Sequence, residues 1–137
     1  WGAIIMYAAL GTPFSTFLMT SYFRGLPNDL VEAAIVDGLS FPRVFTRIGL
    51  PLAVPAIITV IVLQFIQVWD DLLVGLLFIQ DPSYRTITVG LGALAAGRVV
   101  DIPVLLAGSL ISAIPAIIVY LIFQRQLVSG LTAGIGK

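Results

Sequence analysis

The chain has no cysteine and no histidine, and it is poor in charge. Without cysteine there is neither a disulfide framework nor a thiolate metal site. Without histidine, imidazole-based catalysis and histidine-ligated zinc are excluded as well. Charged side chains make up 10% of the 137 residues, seven basic against seven acidic, for a net charge of zero. That balance excludes the basic footprint of a nucleic-acid binder. No G-x-x-x-x-G-K-[ST] phosphate loop occurs, so any dependence on ATP requires a separate protein. The chain opens on Trp1 inside an apolar run with no charged flank, so it lacks the basic region and cleavage site of a signal peptide. It is expected to be a piece whose upstream helices are missing.

What the chain does have is apolar length. Hydrophobic residues are 59% of the total and mean hydropathy is +1.10, well above the soluble mixture of nearly half apolar and about a quarter charged residues. About 20 apolar residues span the hydrocarbon as a helix. Three runs qualify, roughly residues 1–23, 55–79 and 103–123. The expected fold is all-α, a polytopic membrane protein with three transmembrane helices in these residues.

Between the first two runs lies a polar interruption, residues 26–55, reading LPNDLVEAAIVDGLSFPRVFTRIGLPLAVP. Asp29, Glu32, Asp37, Arg43 and Arg47 fall inside it and Arg24 just before it. Such a density of charge places the segment outside the bilayer. In its first piece Asp29 and Glu32 have capping-box spacing, Val31, Ala34 and Ile35 form an apolar edge, and Gly38 supplies a stop. A helix of about ten residues is expected. In its second piece Ser40 can cap a short turn with Pro42 inside it, and Phe41, Val44, Phe45 and Ile48 recur at helical spacing. Pro51 and Pro55 mark re-entry into the membrane.

Two helices this short are unstable alone in water and need a surface to cover their apolar edges. A helix lying on lipid usually carries Lys and Arg on its polar face. The first piece instead presents Asp29, Glu32 and Asp37, which anionic lipid would repel. Docking to another protein is favoured.

The basic residues fix the expected orientation. With three spans, Arg24, Arg43, Arg47, Arg125 and Lys137 share one side, and only Arg85 and Arg98 lie on the other. The positive-inside rule then makes the polar segment and the C-terminus cytoplasmic. Residues 80–102 become an extracytoplasmic loop, with 86–96 a short helix or surface segment. Arg85, Arg98 and Asp101 are candidate contacts there, or simply solvated charges.

Polar positions within the spans admit two readings each. Ala8, Thr12, Thr16 and Thr20 recur every four residues beside the Gly11-Thr12-Pro13 interruption. They either pack helices closely or line a polar path. Gln64, Gln67 and Asp71 fall at i, i+3 and i+7 on one helix face. An aspartate in hydrocarbon costs about 3 kcal/mol, so it faces a cavity or an interface. Trp69, Asp70 and Asp71 are an interfacial anchor, or Gln64, Gln67 and Asp71 line a solute path with Trp69 turned away. Gly108, Ser112 and Ala116 form a small-residue stripe suited to packing. An intramembrane enzyme using Asp70 and Asp71 is the contrasting class. Adjacent helical residues point about 100° apart, which prevents that pair from facing one bond.

Glu32-Ala33-Ala34, three residues, Gly38, nine residues, Ile48, one residue, Leu50-Pro51 reproduces the EAA loop of binding-protein-dependent ABC importer permeases. The stretches FRGLPNDLVEAAIVDG, WDDLLVGLLFIQDPSYRTITVGL and FQRQLVSGLTAGIGK resemble the carbohydrate-uptake branch of maltose-type inner-membrane permeases. All 137 residues would be the C-terminal part of such a transmembrane domain. The resemblance implies a transport subunit of a prokaryotic inner membrane, not an enzyme, with no cofactor and no metal. It implies that residues 26–51 form a coupling loop whose helix, through Glu32, Ala33, Ala34, Asp37 and Gly38, docks on a cytoplasmic ABC ATPase dimer. A second permease subunit and an extracytoplasmic solute-binding protein are further implied partners. Gln64, Gln67 and Asp71 are candidate path residues for a sugar or related solute. Permeases of other importer branches, for polyamines, amino acids or other small solutes, share the loop. The family places asparagine where this chain has Asp70.

Overall fold

The computed structural model describes residues 1–97 and 101–133. Arg98 and Lys137, both used in the orientation argument, lie outside the described residues, as does the end of the tail. The architecture is all-α, with no strand among the described residues. Helix α1 runs Gly2–Arg24, α2 Asn28–Val36, α3 Phe41–Val44, α4 Leu50–Asp70, α5 Leu73–Phe78, α6 Ile87–Ala95 and α7 Ile102–Ala133. A π-turn, Phe45–Gly49, joins α3 to α4 without a break, and a 3-10 turn, Pro82–Tyr84, precedes α6.

Three helical stretches are long and apolar enough to cross a membrane: Gly2–Arg24, Phe41–Asp70 and Ile102–Val128. The first and third match the expected runs at their starts. The second differs at both ends. It begins before the two prolines, because Pro51 falls where the π-turn already interrupts ordinary hydrogen bonding and Pro55 is carried inside α4. It ends at Asp70 and not near residue 79, with residues 71–72 breaking the helix before α5. The glycine-rich tail is helical through Ala133, ten residues beyond the expected end of the third run.

The chain divides into two compact units. The first comprises Trp1–Pro13 and Val62–Ile122. Its core is built on Val62, Val74 and Val89. Glycines let its helices approach: a side chain at Gly75 would meet Val89, one at Gly92 would meet Leu72, and one at Gly108 would meet Leu91. Polar atoms tie the same helices together. Trp69 Nε1 donates to the Ser112 carbonyl at 2.9 Å, and Thr88 Oγ1 donates to the Trp69 carbonyl at 2.8 Å. Of the expected stripe Gly108, Ser112 and Ala116, the first two thus meet neighbouring helices. Residues 86–96 form a capped helix rather than a surface coil. Thr86 accepts from the Val89 amide, and Val89 is fully buried.

The second unit comprises Phe14–Ile61 and Phe123–Lys137. Ala53, Ala56 and Thr59 lie three residues apart along α4 and are all fully buried. Thr59 Oγ1 lies 2.9 Å from the Pro55 carbonyl and 2.8 Å from the Gln126 carbonyl, which ties α4 to α7. A side chain at Gly130 would run into that hydroxyl. Tyr22 Oη donates to the Leu52 carbonyl at 2.6 Å, joining α1 to α4.

Candidate functional site

Helix α2 is nine residues long and starts differently from the capping-box reading. Its N-cap is Pro27, extended at φ −60° and ψ 126°, with no side-chain cap bond. Asp29 sits inside the first turn, where a carboxylate still favours the positive end of the helix. Its C-terminal stop is the expected one. Gly38 has φ +83°, the only positive φ among the described residues, and its amide bonds the Ile35 carbonyl while Leu39 N bonds the Ala34 carbonyl. That conformation belongs to glycine, because a Cβ there is strained.

The two faces of α2 are unlike. Ala34 is buried at 5% exposure and anchors the helix to its unit. Glu32, Ala33, Ile35, Val36 and Asp37 are exposed, Val36 at 86%. Of the five expected docking residues, Glu32, Ala33, Asp37 and Gly38 are therefore accessible and Ala34 is not. A Cβ added at Gly38 would touch nothing within 4 Å among the described residues, where the backbone conformation alone restricts that position.

Beneath α2 lies a cavity of about 140 Å³. Phe23, Leu30, Val31, Val44, Phe45 and Ile48 line it, contributed by α1, α2, α3 and the π-turn. The Phe23 and Phe45 rings meet at 6.0 Å between centroids. Ser40 is the extended N-cap of α3 but makes no side-chain cap bond, and Pro42 sits in its first turn as expected.

Gln64, Gln67 and Asp71 have separate surroundings. Gln64 Nε2 donates to the Gly11 carbonyl at 3.1 Å, two residues before Pro13. Asp71 Oδ2 accepts from Tyr7 Oη at 3.1 Å and from the amides of Val74 at 2.8 Å and Gly75 at 3.2 Å. It thus caps α5 at the break after α4. Gln67 is exposed. Trp69 is turned away from this face, stacked on Phe65 at 5.7 Å, and Asp70 is exposed. Tyr7 escaped the sequence reading. Nothing in the periodicity of the first run marks it, and its partner lies 64 positions away.

On α1, Thr12 Oγ1 bonds the Ala8 carbonyl at 2.6 Å. Thr16 and Thr20 line an open groove of about 620 Å³ with Ser15 and Met19. In the loop, Asp81 caps the 3-10 turn by accepting from Ser83 N at 2.9 Å, and that amide bond holds its carboxyl below the usual carboxylate value. Arg85 folds back to donate to the carbonyls of Ile79 and Gln80. Asp101 Oδ1 accepts from the Val104 amide at the start of α7.

Similar proteins give this geometry a context. The trehalose/maltose transport system permease protein MalG of Thermococcus litoralis is 44% identical over 130 residues, covering 93% of this chain and 46% of that protein. The probable ABC transporter permease protein YurM of Bacillus subtilis is 40% identical over 134 residues, 98% of this chain and 45% of its own length. The sulfoquinovosyl glycerol transport system permease protein SmoH of Agrobacterium fabrum is 35% identical over 98% of this chain and 47% of its own. The chain thus spans less than half the length of the curated relatives it matches. Residues 1–133 match the family of the binding-protein-dependent transport system inner membrane component, and the chain belongs to that family of multi-pass membrane permeases.

Proposed function

We propose that the chain is the C-terminal part of a permease subunit in an ATP-driven importer of a sugar or related solute, coupled to a separate ATPase through α2. The observation that carries the coupling role is the exposed face of α2, with Glu32 and Asp37 beside Ile35 and Val36, ended by a glycine at φ +83°. An acidic helix with uncovered apolar side chains suits a cleft with basic residues, where Glu32 accepts a charge-assisted bond. Ala33 leaves room for a cleft wall to approach. In this reading residues 26–51 and the C-terminus are cytoplasmic, as the positive-inside rule suggests, and residues 80–102 face outward to a solute-binding protein. The permease works with a second permease subunit, and alternating access follows from the ATPase dimer binding two permease states unequally.

The carbohydrate assignment rests on relatives whose names specify trehalose/maltose, sulfoquinovosyl glycerol and diacetylchitobiose transport. Gln64, Gln67 and Asp71 belong to the path face. Gln67, the exposed member, offers its amide to solute hydroxyls, while Gln64 and Asp71 hold the wall in shape. The test is uptake by membrane vesicles containing the full-length permease, its partner subunits and binding protein. Radiolabelled maltose, trehalose, putrescine and glutamine are compared. Uptake of a sugar that falls severalfold in Gln67→Leu supports the reading. Uptake confined to putrescine or glutamine contradicts it and assigns another importer branch.

A further inference from the structure

The π-turn Phe45–Gly49 stands between the proposed docking segment and the longest uninterrupted part of α4, in a stretch that is helical from Phe41 to Asp70. Leu50 N bonds the carbonyl of Phe45, five residues back instead of four. A π-turn holds one residue more than the α-helical turn it replaces, and such turns concentrate at functional sites. Three features support the widened turn. Thr46 Oγ1 bonds the Pro42 carbonyl at 3.0 Å, with the Arg43 carbonyl at 3.4 Å, so a hydroxyl serves carbonyls one turn back. Pro51, just beyond, has no N–H to return to the turn. The cavity of about 140 Å³ lies against Phe45 and Ile48 and is walled on another side by Leu30 and Val31 of α2.

We propose that this π-turn is a one-residue ratchet, converting to α-helix when α2 is pulled by its partner and so passing the movement of α2 into α4. The proposal rests on the docking role of α2 proposed above. Closing the turn moves α3 relative to α4 by one residue, a rotation of about 100° and a translation of about 1.5 Å. The rotation carries Phe45 off Phe23, and the cavity beside them provides the space for its ring. Two discrete arrangements of one helix are what a coupling element needs, because packed elements switch rather than bend continuously.

The chain's lack of cysteine makes labelling within these residues unique. Arg43→Cys and Leu52→Cys, both exposed and on either side of the turn, carry spin labels in the full-length permease assembled with its ATPase. Distances are measured without nucleotide and with a non-hydrolysable ATP analogue. The proposal expects a second distance, displaced by more than about 3 Å, to appear with the analogue as the helix rotates by one residue. Deleting Thr46 should hold the nucleotide-free distance with the analogue as well, because the α-helix then formed keeps the flanking register of the π-turn. Thr46→Val, which keeps chain length and removes only the hydroxyl, should at least double the displaced fraction without nucleotide. A single distance that ignores nucleotide and Thr46→Val, in a complex that retains its ATPase, overturns the ratchet alone. A wild-type permease that fails to retain its ATPase overturns the docking role beneath it.

Discussion

Tyr7 Oη donates to Asp71 Oδ2 at 3.1 Å, joining α1 to the two-residue break between α4 and α5. The same oxygen caps the amides of Val74 and Gly75. One carboxyl therefore ends one helix, starts the next and holds both to α1. Tyr7→Phe should lower stability by roughly 1 kcal/mol, the usual net worth of one hydrogen bond. Asp71→Ala should cost more, because it also uncaps α5. Thermal unfolding of the two single variants and the double variant in detergent measures the coupling. A double variant equal to the sum of the singles would show that Tyr7 and Asp71 do not act together.

Gly130 and Gly90 should answer oppositely to the same substitution. A Cβ at Gly130 runs into Thr59, whereas one at Gly90, on the exposed side of α6, meets nothing within 4 Å among the described residues. Gly130→Ala is expected to destabilise by about 1–3 kcal/mol through overpacking. Gly90→Ala should be neutral or stabilising by up to about 1 kcal/mol, from helix propensity alone. Thr59→Ala should recover part of the Gly130→Ala loss, and the unfolding midpoints of the four proteins test this.

The loop turn is expected to depend on pH. Asp81 has its carboxyl held below its ordinary value chiefly by the Ser83 amide. The stabilisation it lends is therefore present above the ordinary carboxylate value and is lost as pH falls through the lower folded value. Exchange of the Ser83 amide should accelerate on acidification beyond the intrinsic trend. Asp81→Asn, which keeps the acceptor without titrating, should remove that excess.

How much of this was legible in the sequence depended on whether the determining contact was local. Apolar length alone located the three long helices, and Gly38 announced its own positive φ. The end of α4 was not legible, since Val68 to Ile79 reads as nearly continuous apolar sequence around one acidic pair. What breaks the helix there is a cap completed by Tyr7, 64 residues away. The third apolar run was expected to end near residue 123, but Gly130 serves close packing against Thr59 and the helix continues through Ala133. The capping-box spacing of Asp29 and Glu32 misplaced the start of α2 because Pro27 already sets the extended entry. For the path face, spacing aligned Gln64, Gln67 and Asp71, but only the fold distinguishes the two engaged with neighbouring elements from the exposed Gln67.

At Gly38 the order of substitution effects should follow backbone tolerance. With open space around the position and φ +83°, asparagine should disturb α2 least, alanine more and valine most. Alanine in this conformation costs about 1–2 kcal/mol. Circular dichroism will barely register a nine-residue helix, so retention of the partner ATPase by each variant is the informative readout.

The most direct measurement is co-purification of the full-length permease with its ATPase, comparing wild type, Glu32→Ala, Gly38→Asp and, as an exposed control on another element, Gly90→Ala. The account predicts that the ATPase is retained by wild type and Gly90→Ala and lost or reduced at least severalfold in Glu32→Ala and Gly38→Asp, with membrane insertion equal in all four. Undiminished retention in both α2 variants would contradict the docking role of α2 and place the coupling surface elsewhere in the permease.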